Sequence, residues 1–350
     1  MDRTLEICRI LYNHCLQQRR WAYKYYGISI GYNEQQNDLP DLKTRVPEFA
    51  RAHSQVLQDV VRRVDLAYQS FFRRIKNGEN PGFPRFRGKD RYDSFTYPQS
   101  GFAIVGNVLR LSGIGKIPVR VHRALEGKIK TCTIRRNSCG EWHVSFSCDN
   151  VVPKSLPSSP FSVGIDLGLT DFLATSEGEF VPNPKYGKRS AKRLAQAQKK
   201  LSAQKKGTGE RQAKKKIVSK IYKKVVNQRT DFFYKTANRL VGEYGFIFAE
   251  DLKPSNMLSY RAVNRTLYDT AWTGFLSILS CKAAEAGREF RKVNPAHTSQ
   301  DCSGCGHRQK MPLSVRVYKC PGCGLELSRD VNAARNIKSL GLESWASKSA

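Results

Sequence analysis

The chain has 350 residues and carries 60 Lys and Arg against 30 Asp and Glu, a formal net charge of +30. That length accommodates two or three domains and a substantial core, and that charge predicts a polyanionic partner, most simply nucleic acid, over a basic ribosomal or membrane-surface protein. No apolar stretch is long enough to span a bilayer and no basic-plus-apolar leader precedes a cleavage site. No membrane association is therefore expected, and the expected location is the cytoplasm, nucleoid-associated when bound to DNA.

In chain order, residues 3–25 carry Leu5, Cys8, Leu11 and Cys15 at helical spacing, followed by Gln17–Arg20 and Trp21. The polar stretch from Gly27 to Leu42 reads as a connection. Pro47 is expected to open a helix that runs to about Lys76, with Val56, Val60, Val64, Ala67 and Phe71 as its apolar stripe. Arg62, Arg63, Arg73 and Arg74 lie off that stripe and read as a basic face toward a nucleic-acid backbone. Residues 77–92 form a Gly/Pro/Arg connector that contains Arg85 and Arg87. From Ser94 to Asn150 short alternating strands are expected at 108–111, 117–121, 129–134 and 142–146, which suggests a small antiparallel β-barrel. Val151–Pro160, rich in Pro and Ser, reads as a linker.

After the linker, Ser162–Leu167 reads as a buried strand with Asp166 near its exit. Two further strands are expected near 172–175 and 179–181. Helical sequence then runs from Ser190 to Tyr244, broken at Gly207-Thr208-Gly209. Its first part is crowded with cations, including Lys214, Lys215, Lys216 and Lys220, and only Glu210 opposes them between 190 and 224. A run so one-sided self-repels unless phosphates neutralise it. A strand at 246–250 ending in Glu250, a helix over roughly 266–287 and a strand at 289–293 follow. Three strands, helix, strand, helix, strand, with acids at strand ends, is the order of an RNase H-like α/β domain.

Asp330 opens an apparent helix, Asp330-Val331-Asn332-Ala333-Ala334. Each acid alone has a plain reading. Asp166 suits a turn, Asp330 suits a helix N-cap, and Glu250 suits a lysine partner. Together, Asp166, Glu250 and Asp330 suggest one carboxylate cluster, because an unpaired buried charge is costly and a hard divalent cation removes the cost. Such clusters hold two Mg2+ or Mn2+ and cleave phosphodiesters. Asp171 and Asp251 are competitors that lie one place off the strand-end pattern. Of ten cysteines, Cys302, Cys305, Cys320 and Cys323 form C-x2-C-x14-C-x2-C, which matches a closed structural Zn2+ site. Neighbouring glycines supply tight turns, and His307 is not expected to ligate. The remaining six are scattered singly, as in a reducing compartment.

Val163–Gly168, Phe248–Lys253, Thr298-Ser299-Gln300 leading into Cys302–Gly306, Tyr318–Gly324 and Arg329–Ile337 resemble the split RuvC nuclease and zinc ribbon of the TnpB family. These proteins are encoded by insertion sequences and are related to type V CRISPR effectors. Gly82-Phe83-Pro84-Arg85-Phe86 and Ser94–Pro98 also resemble the family's connector. The resemblance implies an RNA-guided DNA endonuclease that cuts double-stranded target DNA beside a short flanking motif, with a guide RNA as cofactor and Asp166, Glu250 and Asp330 as catalytic acids. It implies a helical recognition lobe (1–80), a wedge-type barrel and linker (81–160), a first RuvC part (161–296), a zinc ribbon (297–327) and a last RuvC part with the tail (328–350). Family members usually begin with a basic barrel strand before the helix that here starts near Met1, a departure that bears on barrel closure and guide binding. They often carry Asp where this chain has Ser328. The rivals are a non-cleaving RNA-guided repressor or transposition accessory protein, and a guide-free junction resolvase.

Overall fold

The computed structural model describes residues 1–252, 271–312 and 315–349. Its contacts divide it into two units, Met1–Val152 and Pro153–Ala350.

The first unit is built on two long helices, α1 (Asp2–Tyr26) and α4 (Ser54–Lys76). Leu5, Cys8, Leu11 and Cys15 of α1 and Val56, Val60 and Val64 of α4 are all buried in one core, as their 3.6-residue spacing requires. Two features differ from expectation. The stretch read as a connection contains two short helices, α2 (Tyr32–Asn37) and α3 (Leu39–Arg45), which bury Gln35, Leu39 and Leu42. The α4 helix begins at Ser54 and not at Pro47, because a 3-10 turn at Phe49–Arg51 intervenes.

Two three-stranded antiparallel sheets complete this unit. One has the order β1 (Ser94–Tyr97), β5 (Lys128–Arg136), β6 (Trp142–Asp149); the other has β2 (Phe102–Val105), β3 (Val108–Leu111), β4 (Gly115–Pro118). The expected barrel is therefore not closed among the described residues. The second sheet pairs only sequence neighbours four residues long, and Pro118, which lacks an N–H, ends β4 before the strand expected to reach Val121. A side chain bridges the sheets where no ladder does: the Tyr97 hydroxyl donates to the Ser112 carbonyl at 2.8 Å.

The second unit centres on a five-stranded sheet of order β11-β10-β7-β8-β9. Strands β7 (Ser162–Leu167), β8 (Asp171–Thr175) and β9 (Phe180–Pro182) form an antiparallel meander, and β10 (Phe246–Glu250) and β11 (Glu289–Val293) join parallel to β7. The connecting helices are α5 (Tyr186–Ser202), α6 (Gly209–Glu243) and α7 (Trp272–Glu285). Residues 266–270 of the helix expected there lie outside the described residues. On one face, Val163, Ile165, Ile247 and Ala249 pack with Phe233, Leu240, Phe275 and Leu279 of α6 and α7.

The other face carries α8 (Arg329–Ser349). Strand alternation therefore turns Gly164 and Asp166, and on β10 Phe248 and Glu250, toward α8. Gly164 is where helix and strand meet backbone to backbone. A Cβ there would lie 2.0 Å from the Ala334 carbonyl oxygen and 2.6 Å from the Lys338 nitrogen. Gly341 of α8 makes the reciprocal approach, since its Cβ would fall 2.2 Å from the Phe248 ring. Gly164→Ala should therefore destabilise the second unit by about 3 kcal/mol, as overpacking against backbone does. The check is the denaturant midpoint of the variant against wild type.

Candidate functional site

Asp166 and Glu250 reach the same end of the sheet on adjacent parallel strands. The pairing of Ala249 with Ile165 puts the next residues, Glu250 and Asp166, beside each other. Asp330 arrives from the first turn of α8, the helix seated on Gly164. Desolvation, then the Glu250 and Asp330 charges, push the Asp166 carboxyl from its ordinary 3.8 up to about 8; Arg329 opposes them weakly. Burial also raises Glu250, against a hydrogen bond that Thr298 donates to it at 2.5 Å. The cation paired with Asp330 among the described residues is a distant one, Arg316, with Nη1 at 3.9 Å. Among the described residues, no three carboxylate oxygens come within 4.8 Å of one another. The cluster sets a raised Asp166 carboxyl beside the charges of Glu250 and Asp330, an environment into which a divalent cation fits.

The competitors stand elsewhere. Asp251 is exposed and pairs with Lys292 at 3.4 Å. Asp171 opens β8 and is not among the main causes that raise Asp166.

Thr298, in the Thr298-Ser299-Gln300 segment, belongs to the site through its hydrogen bond to Glu250, a role its local sequence does not indicate. Its loop is clamped by α8: Asn336 Nδ2 donates to the Thr298 and Asp301 carbonyls at 2.8 and 2.7 Å. One turn earlier, Asn332 Nδ2 donates to the Asp301 carbonyl at 2.7 Å, and Asn332 Oδ1 accepts from Ser303 N at 2.9 Å. Two asparagines four residues apart on one helix beside a cysteine knuckle are the signal that could have pointed to this clamp.

The four cysteines gather within 4.8 Å. The Cys302 and Cys323 sulfurs lie 3.6 Å apart and those of Cys305 and Cys320 lie 3.5 Å apart. A disulfide would need about 2 Å, whereas four 2.3 Å Zn–S bonds at tetrahedral angles separate sulfurs by about 3.8 Å. The donor set fits Zn2+. Gly306 and Gly324, each following the second cysteine of its knuckle, have φ of 77° and 74° and turn the chain back, as glycine readily does. A short hairpin, β12 (Val317–Lys319) and β13 (Glu326–Ser328), carries the second knuckle back to α8.

Of the cations singled out in the sequence, Arg73, Arg74, Arg85, Arg87, Lys215, Lys216 and Lys220 are exposed and Lys214 is half-buried. Arg87 also stacks over the Tyr12 ring, with its guanidinium 5.4 Å from the centroid. Arg63 is not part of a solvated basic face. It binds Asp59 at 2.7 Å, and its guanidinium donates to the Ser94 carbonyl and the Thr96 hydroxyl at 2.8 Å each. Arg19 is buried on Gln35 and Asp65. No helix among the described residues is long and apolar enough to cross a membrane.

Fold and sites together define an α+β protein whose second unit joins a carboxylate cluster to a four-cysteine ribbon. Two family models match it: "Probable transposase" (OrfB_IS605) over residues 145–261 and "Cas12f1-like, TNB domain" over 272–337. A Streptomyces pristinaespiralis protein named "Putative RNA-guided DNA endonuclease" is 33% identical over 99% of this chain and 86% of its own length. An Escherichia coli protein, "Putative RNA-guided DNA endonuclease InsQ", is 29% identical over 97% of this chain and 88% of its own. In solved structures, a Cas12f1 chain in complex with single-guide RNA and target DNA superposes with a TM-score of 0.58 at 16% identity, covering 96% of this chain and 81% of that one. The chain belongs to the TnpB family of transposon-encoded proteins.

Proposed function

We propose that this protein is an RNA-guided DNA endonuclease whose RNase H-like (RuvC) unit cuts target DNA beside a short flanking motif with the help of a divalent cation. The observation that carries the reading is the buried Asp166 carboxyl, which desolvation and the nearby charges of Glu250 and Asp330 push up. Only a cation, or a proton, relieves such a cluster. The names of the relatives supply the guide RNA and the DNA substrate, and the +30 charge fits both partners.

Asp166, Glu250 and Asp330 would hold Mg2+ or Mn2+. Bound there, the ions supply positive charge to the attacking and leaving oxygens of a phosphodiester. The chain's own residues set the geometry. Thr298 fixes one oxygen of Glu250, α8 holds Thr298 through Asn336, and Gly164 seats α8 on the strand that bears Asp166. Cys302, Cys305, Cys320 and Cys323 would hold the structural Zn2+. In this reading 1–80 is the recognition lobe, 81–160 the wedge and linker, 161–296 and 328–350 the nuclease, and 297–327 the ribbon. Lys214, Lys215, Lys216, Lys220, Arg73, Arg74, Arg85 and Arg87 face nucleic acid.

The test sequences the RNA that co-purifies with the protein, then offers the complex a matched DNA target with and without Mg2+. Cleavage that needs both RNA match and cation supports the reading. Tight guided binding without cleavage in Mg2+ or Mn2+ would instead make it a repressor, and equal cutting of branched DNA after RNA digestion would make it a resolvase.

Thr298 gives a finer expectation. Thr298→Val keeps the shape and removes the hydroxyl, so Glu250 loses its orienting partner. Loss of such a partner costs about 10-fold or more in metal affinity. The Mg2+ concentration for half-maximal cleavage should rise accordingly, and Thr298→Ser should restore it. An unchanged Mg2+ titration for Thr298→Val would show that the hydroxyl is dispensable.

A further inference from the structure

A cleft of about 490 Å3 lies between α5 and α6. Four cations line it: Arg189 and Arg193 from α5, Lys220 and Lys224 from α6. Each pair is spaced i, i+4, so each sits on one helix face about 6 Å apart along the axis. Among the described residues, no carboxylate lines the cleft and none of the four side chains makes an ion pair. Ile217 and Ile221 form an apolar floor, with Ile217 47% exposed. The α5 helix buries no residue of its own.

These features conflict with a purely structural hairpin. Like charges at i, i+4 destabilise a helix, and here two such pairs face each other with no acid between them. A structural hairpin would also cover Ile217, whereas Ile221 beside it is buried. We propose that this cleft is a clamp for a phosphodiester backbone, with Arg189, Arg193, Lys220 and Lys224 gripping successive phosphates and the isoleucine floor taking the sugars. The step between cations along each helix is comparable to the step between phosphates along a strand. The proposal rests on the nucleic-acid reading above and moves it away from the densest charge run. Lys214, Lys215 and Lys216 lie outside the lining.

The test uses the full-length protein with all four cations changed to Gln, and follows affinity against salt. Removing four single-strand phosphate contacts should flatten the slope of log affinity against log salt by about 3 units. Arg189→Lys with Arg193→Lys should keep the slope, because charge is kept. Lys215→Gln with Lys216→Gln should flatten it less than the quadruple variant does. Thermal melting reports whether the hairpin still folds; if the quadruple variant does not melt as wild type, the two pairs are changed separately, and each should remove about half of the effect.

Two arms separate the sources of the phosphates. RNA-free protein titrated with its RNA reads the cleft as an RNA site if slope is lost there. RNA-loaded protein titrated with target DNA reads it as a DNA site if slope is lost in that arm. A quadruple variant with the wild-type slope in both arms overturns the clamp, as does a larger loss from Lys215 and Lys216 than from the cleft. If wild type itself shows no salt-dependent nucleic-acid binding, the clamp and the nucleic-acid function fall together.

Discussion

Asp166→Ala, Glu250→Ala and Asp330→Ala are each expected to abolish cation-dependent cleavage of guided target DNA, by a factor on the order of 10^3 or more, while guide and target binding persist. The effects should not add, because the acids act as a unit and a double variant has little left to lose. A cleavage assay run beside a binding assay on the same DNA reads both. If one alanine variant cuts at the wild-type rate, that residue is not part of the machinery, and Asp171 or Asp251 becomes the next candidate. Stability supplies an independent readout. The Asp166 carboxyl titrates near 8 when folded and at about 3.8 when unfolded. Between those values the unfolded chain gives up the proton first, so this residue makes the cation-free fold less stable as pH rises. Asp166→Asn should therefore raise the melting temperature of protein without added Mg2+, more at pH 8 than at pH 4. Added Mg2+ should stabilise wild type and not this variant. The chelator EDTA has no place in that experiment, because it would also strip the ribbon.

The second large effect concerns the ribbon. Purified protein should hold about one zinc per chain, and Cys302→Ser or Cys323→Ser should lose it and lower the melting temperature of the second unit, since forming the site contributes to folding. The damage should travel. Cys302 follows Asp301, whose carbonyl is gripped by Asn332 and Asn336, and the same loop presents Thr298 to Glu250. Zinc loss should therefore weaken Mg2+-dependent cleavage as well as stability. Full activity and unchanged melting in metal-free protein would rule out a structural zinc.

The side-by-side placement of Asp166 and Glu250 was legible because strand ends and apolar runs point to it locally. Asp166 and Glu250 end apolar runs, and a lone carboxylate in such a place asks for a cation. The cysteines were legible because their spacing is itself the signal. Inward-turned arginines were not. Arg19 and Arg63 lie in basic stretches, and only the fold brings Asp65 and Asp59 against them. Barrel closure was misjudged because alternation indicates strands but not which edges meet. Thr298 escaped because its partner Glu250 is 48 residues away in sequence, a relation that no local pattern carries. The helical start at Ser54 was hidden by Pro47, a residue that suits a first helical turn but here precedes a 3-10 turn.

Gly164 bears on how the site can change. The helix bearing Asp330 rests on the strand bearing Asp166 with no side chain between them, so a single hydrogen atom acts as the shim that sets the gap. Nothing smaller than glycine exists, and the tolerance of the site is therefore one-sided. Substitution at this position can spread the two carboxylates apart but cannot bring them closer, and any variant of this protein that needs a tighter grip on its cations must find it at another residue.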